Sequence, residues 1–109
     1  ELLKNGTNAS YLVIGTDKNN GYMVGFDGAA NSFSGYVRTG GSNSNRIQKT
    51  GISTNTWYPF TITVNGSSLT FNSNNLTITG TIPTNSITYI GWYNRSQSGY
   101  WRDLKVKQL

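Results

Sequence analysis

The sequence predicts an all-β protein, an antiparallel two-sheet β-sandwich of jelly-roll type. Three observations carry that expectation. Tyr58, Phe60, Ile62 and Val64 alternate with Trp57, Pro59, Thr61 and Thr63, the period of two that gives a strand one buried and one wet face. Turn-forming clusters rich in Gly, Asn, Asp and Ser recur between short apolar runs at the spacing of sandwich and barrel strands. No segment shows the 3.6-residue apolar period of an amphipathic helix.

Taken in order, Ser10–Thr16 (SYLVIGT) is an apolar run closed by the turn cluster Asp17-Lys18-Asn19-Asn20-Gly21. Tyr22–Asp27 returns from it, so the two segments are expected to pair as a hairpin. Phe33–Arg38 is a third strand, ended by Thr39-Gly40-Gly41-Ser42, and Arg46–Lys49 a short fourth. Trp57–Asn65 reads as one long strand, with Pro59 near its start or at an unpaired position because proline has no N–H to donate. Asn65-Gly66 suits the positive φ values of a type I′ hairpin turn. Leu69–Asn72 and Leu76–Thr79 return from it. Ile87–Tyr93 and Tyr100–Lys107 close the chain, joined by the loop Asn94–Gly99. Strand parity places Tyr58, Phe60, Ile62, Val64, Leu104 and Val106 between the sheets.

Length allows one domain, residues 1–109, because a domain commonly takes about 100–150 residues. Asn, Thr and Ser make up 40 of the 109 residues, yet 14 aromatics and recurrent Ile and Val separate the chain from disordered sequences. No stretch approaches the roughly 18 apolar residues of a helical membrane span. The chain opens without an initiator Met and reads as a piece of a longer protein.

Composition also bounds the chemistry. The only acids are Glu1, Asp17, Asp27 and Asp103, and the chain has neither His nor Cys. Acid–base catalysis, activated nucleophiles and structural metal cages are assembled from those residue types, so no catalytic residue is assigned and an enzyme is not expected. Asp17 and Asp27 are read as turn residues. The net charge is +5, but the nine Lys and Arg are scattered, without the stripe that nucleic-acid binders use to displace counterions. Nucleic acid is therefore not the expected partner. Five glycosylation sequons, at Asn5, Asn8, Asn65, Asn75 and Asn94, are no more than a chain this rich in Asn, Ser and Thr yields by chance.

The succession GYMVGF (21–26), GYVR (35–38), TWYPFTITVNG (56–66), YIGWY (89–93) and YWRDLKVK (100–107) resembles the concanavalin A-like lectin/glucanase superfamily, closest to its laminin-G-like and sugar-binding jelly-roll branch. The resemblance covers roughly residues 20–107. It implies a sugar-binding β-sandwich on a cell surface, in an extracellular protein or in a virion such as a phage tail. The retaining glucanases of that superfamily carry an E-x-D-x-x-E strand, and retaining hydrolysis needs two carboxylates about 5 Å apart. This chain lacks the motif. Several branches also bind calcium. Asp17-x-Asn19-x-Gly21 resembles the opening of an oxygen-ligand loop, but one Asp and two Asn supply few of the carboxylates that calcium affinity requires. No cofactor is assigned beyond that motif.

The expected ligand site lies in the aromatic segment near the C-terminus: Tyr89, Trp92, Tyr93, Asn94, Arg95, Tyr100 and Trp101. Sugar rings present C–H faces that stack on Tyr and Trp, while Asn and Arg read hydroxyls. Tyr, Trp and Arg are equally the composition of protein-interface hot spots. Parity turns Ile90 and Trp92 toward the core and Tyr89, Tyr93 and Arg95 away from it. In the last strand it turns Trp101, Asp103, Lys105 and Lys107 outward. Tyr36 and Arg38 form a second candidate patch. A glycan or cell-surface polysaccharide is the expected partner. The alternative is a spacer or protein-docking sandwich whose aromatics are all core.

Overall fold

The computed structural model describes residues 2–4, 9–27, 31–73, 75–84, 86–94, 99–101 and 106–108, of which 2–4, 94, 99–101 and 106–108 are described by their backbone. The strands are β1 (Leu2–Lys4), β2 (Ser10–Asp17), β3 (Asn20–Phe26), β4 (Ser32–Thr39), β5 (Ser42–Thr50), β6 (Trp57–Tyr58), β7 (Thr61–Asn65), β8 (Ser68–Ser73), β9 (Leu76–Thr81), β10 (Tyr89–Asn94), β11 (Gly99–Trp101) and β12 (Val106–Gln108). No helix occurs among the described residues. The chain is an all-β, antiparallel two-sheet sandwich.

One sheet has five antiparallel strands in the order β10-β2-β3-β4-β5, and the other runs β12-β7-β8-β9. Its β7-β8-β9 meander is antiparallel, whereas β12 runs parallel to β7, with Val106 opposite Ile62. A small third sheet, β11-β1-β6, adds an antiparallel ribbon. The expected strand Trp57–Asn65 is thus divided. Trp57 and Tyr58 pair with β1, and pairing resumes at Thr61 with β8. Pro59 lies in the gap, where its missing N–H breaks no ladder.

The core between the sheets takes Leu12, Ile14, Tyr22, Val24, Phe26 and Phe33 from the five-stranded sheet, and Ile62, Val64, Leu69, Phe71 and Ile78 from the facing one. All four phenylalanines are buried there. Phe33 stacks on Phe26 (centroids 5.2 Å apart, planes at 8°) and meets Phe71 edge-on at 5.1 Å. Phe60, Ile62 and Val64 are buried as expected, and Tyr58 is half-buried. Leu104 lies outside the described residues, and of Val106 only the backbone is described.

Turn chemistry fixes the registers. Gly40 and Gly41 (φ 57° and 82°) are the two central residues between paired Thr39 and Ser42, the double positive φ of a type I′ hairpin. The expected type I′ turn at Asn65-Gly66 falls one residue later. Asn65 pairs with Ser68, so Gly66-Ser67 are the central residues, and only Gly66 (φ 61°) has positive φ. That is the type II′ pattern, with glycine first. At the β2–β3 turn, Asp17 Oδ1 accepts the Asn19 backbone N–H at 2.8 Å and Asn20 Nδ2 at 3.0 Å.

A bulge in the β4–β5 ladder has consequences for the surface. Gly35 opposes Ile47 and Val37 opposes Ser44, so β5 carries an extra residue at the Asn45 kink (φ 53°). The inserted residue flips side-chain parity. Asn43, opposite Arg38, therefore shares the outer face with Arg46 and Gln48.

Candidate functional site

Two faces of the five-stranded sheet present different chemistry. The inner face is the apolar core. The outer face carries a second buried cluster, Ala9, Tyr11, Val13 and Met23, with Tyr36, Tyr89 and Tyr93 packed half-buried against it. Register aligns this face into cross-strand rows. Tyr93 (β10) lies opposite Tyr11 (β2), which lies opposite Gly25 (β3), Ser34 (β4) and Gln48 (β5) in turn. A pocket of about 240 Å³ opens here, lined by Ala9, Tyr11, Met23, Asp27, Tyr36, Asn43 and Tyr93. That volume lies below the roughly 300–1,000 Å³ of pockets for drug-sized ligands, so it suits a single ring.

Asp27 forms the polar floor. It follows β3 directly, and its backbone N–H donates to the Ser32 carbonyl at 3.0 Å, closing the connection to β4. Its Oδ2 accepts Ser34 Oγ at 2.9 Å, Gln48 Nε2 at 3.1 Å and Ser32 Oγ at 3.4 Å, and it is ion-paired with Arg46. Tyr11 donates its hydroxyl to Oδ1 at 3.4 Å. The turn role expected for Asp27 is therefore incomplete: it is a buried carboxylate on which donors from β2, β4 and β5 converge. Burial, then the charge of Asp27, push the Tyr11 hydroxyl far above its ordinary pKa, so it stays a neutral donor. The hydrogen bond to Asp27 raises the Arg46 guanidinium, which remains charged.

Tyr36 meets the edge of Tyr11 at 5.8 Å with planes at 82°. Arg38 contacts two of the lining residues, Asn43 and Tyr93. Its Nε donates to the Lys18 carbonyl at 3.0 Å, Nη1 to Asn43 Oδ1 at 2.9 Å and Nη2 to Asn19 Oδ1 at 3.3 Å. Its guanidinium carbon lies 4.8 Å from the Tyr93 ring centroid.

The structure distributes the sequence-predicted residues unequally. Tyr93 joins the second patch, Tyr36 and Arg38, in one site. Tyr89 lies over Gly91 of its own strand and packs rather than lining the pocket. Ile90 and Trp92 do take the inner face, opposite Ile14 and Leu12. They stay 48% and 44% exposed, because β10 is the edge of its sheet and their side chains lie at the margin of the core. Trp92 is consequently on the opposite face from Tyr93. The Asn94 backbone pairs with Ser10, and those of Tyr100 and Trp101 pair with β1, while Arg95 lies outside the described residues. The residues that sequence reasoning missed are Tyr11, Asp27, Asn43, Arg46 and Gln48. The small outward residues Gly25, Ser32 and Ser34 were the available signal, since they leave room above the sheet.

The proposed calcium motif is engaged internally. Asp17 holds its own turn, and Asn19 Oδ1 faces the Arg38 cation. Asp17 and Asp27 lie at opposite ends of the β2–β3 hairpin, so they do not form a carboxylate pair. Among the described residues no group of three or more potential metal-ligating His, Cys, Asp or Glu side chains occurs. No family model, characterised protein or solved structure matches this chain.

Proposed function

We propose that this domain is a non-catalytic carbohydrate-binding module, an adhesion element of an extracellular, cell-surface or phage-tail protein, in keeping with the concanavalin A-like resemblance of its strand motifs. The observation that carries this reading is the outer-face pocket. Two half-buried tyrosines, Tyr36 and Tyr93, border it beside the Asp27–Arg46–Gln48 network and Asn43. Aromatic rings accept the C–H face of a pyranose, and fixed planar polar groups select its hydroxyls. Of the residues expected to bind ligand, Tyr93 borders this strand-built pocket, and the loop between Asn94 and Gly99 lies outside the described residues.

The test is a glycan array on the wild-type domain, followed by calorimetry with Tyr36→Ala and Tyr93→Ala. Each substitution is expected to weaken binding by about 1–3 kcal/mol, the scale of burying one such side chain. A wild-type domain that retains no glycan would refute the reading. The alternative, a structural or protein-docking spacer, draws on one observation: the donors on Asp27 come from the domain's own strands, as in a network that braces a sheet.

A further inference from the structure

The chemistry of the pocket wall points beyond sugars in general to a charged class of them. Arg38 is only 8% exposed, and buried cations are ordinarily paired with anions. All three of its hydrogen-bond acceptors here are neutral: the Lys18 carbonyl and the amide oxygens of Asn19 and Asn43. Among the described residues the one ion pair is Arg46–Asp27, so Arg46 is compensated and Arg38 is not. The nearby carboxylate in sequence, Asp17, accepts Asn19 N–H and Asn20 Nδ2 within its own turn.

Arg38 stands directly behind two residues of the pocket wall without lining it. It donates to Asn43 and lies on the Tyr93 ring, and both residues line the pocket. A guanidinium has five N–H donors, and three are accounted for among the described residues. Among the described residues, the side chains that line the pocket or bond to its lining include two guanidinium groups, Arg38 and Arg46, and one carboxylate, Asp27, which leaves the charge of Arg38 unbalanced. A low-dielectric wall strengthens the pull of that charge on an anion.

Resting on the carbohydrate reading above, we propose that the pocket prefers acidic glycans, with a sugar carboxylate held at the Arg38 side while Tyr36 and Tyr93 flank the ring. A planar carboxylate matches the guanidinium fork, and the pair forms a charge-assisted bond stronger than any a neutral hydroxyl offers.

The experiment compares uronate and sialate oligosaccharides with their methyl esters, which keep the ring and remove the charge, using calorimetry at low and high salt. The acids are expected to bind at least about tenfold tighter than their esters, as one charge-assisted pair provides, with the advantage shrinking at high salt. Uronate and sialate arms identify which acidic sugar is taken. Arg38→Gln is expected to bring acid and ester to equal affinity, and Arg38→Lys to retain part of the difference. Should Arg38→Gln fail to fold, the wild-type comparison alone decides. Equal affinity of acid and ester for the wild-type domain overturns the acidic preference and leaves the sugar reading standing. Absence of binding to either, or binding of acetate or inorganic phosphate alone, overturns both.

Discussion

The guanidinium of Arg38 on β4 lies 4.8 Å from the ring centroid of Tyr93 on β10, although β2 and β3 run between those strands. Two long side chains reach each other across the outer face, and one of them, Tyr93, lines the pocket. Cation–π contacts contribute about 0.5–1 kcal/mol when exposed and about 2 kcal/mol when desolvated. Because Arg38 is buried, a double-mutant cycle of Arg38→Met and Tyr93→Leu is expected to give a coupling energy near the upper figure, about 1–2 kcal/mol. Urea unfolding of the four proteins measures it, and additive losses would show that the contact stabilises nothing.

Asp27 and Arg46 are ion-paired but differ in burial, so removing one is not equivalent to removing the other. Asp27→Ala leaves the buried Ser34 and Tyr11 donors without this acceptor, and each stranded buried donor costs about 1–3 kcal/mol, whereas exposed Gln48 keeps its bond to Ser32 Oγ. A loss of about 3 kcal/mol or more is expected. Arg46→Met removes a side chain that is 47% exposed, where solvent screens the pair, and a loss below about 1 kcal/mol is expected. Thermal unfolding of the two variants checks the ranking.

The sequence made the sandwich readable where burial is one-sided. The Tyr58-to-Val64 alternation pointed to three buried side chains, Phe60, Ile62 and Val64, because a half-buried strand writes its geometry into its residues. β5 escaped in most of its length for the opposite reason. Its residues, SNSNRIQKT, are almost all exposed, so no apolar face marks the strand. The site was partly legible. Tyr36, Arg38 and Tyr93 were each recognisable as candidates, but their union depends on β10 pairing with β2, a long-range contact that no local pattern encodes. Asp27 was hidden by Gly28, since Asp-Gly reads as a turn whatever else the carboxylate does. The bulge that brings Asn43 into the pocket depends on one inserted residue, and nothing in the polar run of β5 announces it.

Tyr22 illustrates a polar group held in an apolar layer. Its side chain is 1% exposed in the inter-sheet core, and its hydroxyl has no hydrogen-bond partner among the described residues. Tyr22→Phe is therefore expected to leave stability unchanged or raise it by about 1 kcal/mol, since an unsatisfied buried hydroxyl carries a desolvation cost. Gly80→Ala is expected to act the other way. A methyl group there would overlap the Tyr22 ring, and forced repacking costs about 1–3 kcal/mol. Melting temperatures of the two variants should move in opposite directions or, for Tyr22→Phe, not at all. A fall in Tyr22→Phe would show that the hydroxyl is satisfied in solution.

Two buried tyrosines, Tyr11 and Tyr22, make the stability of the fold sensitive to alkaline pH. Burial raises the hydroxyls of Tyr11 and Tyr22 above the ordinary value of 10.0, with Asp27 adding to the shift at Tyr11. A group with a raised folded-state pKa contributes fully below its unfolded pKa and loses that contribution as pH climbs toward the folded value. Below about pH 9 both tyrosines are protonated in the folded and unfolded chains, so they give stability no slope. As pH climbs through about 10 the unfolded chain releases these protons more readily than the native state does. Each tyrosine then lowers stability with rising pH, by at most about 1.4 kcal/mol per pH unit. Urea midpoints measured between pH 8 and 11.5 should be flat and then fall as those protons leave. Because Lys side chains titrate in the same range, the diagnostic is the variant: Tyr22→Phe should make the alkaline fall shallower than in the wild type. An identical profile in wild type and Tyr22→Phe would mean that Tyr22 ionises as readily in the folded chain as in the unfolded one, and that its burial imposes no cost on charge.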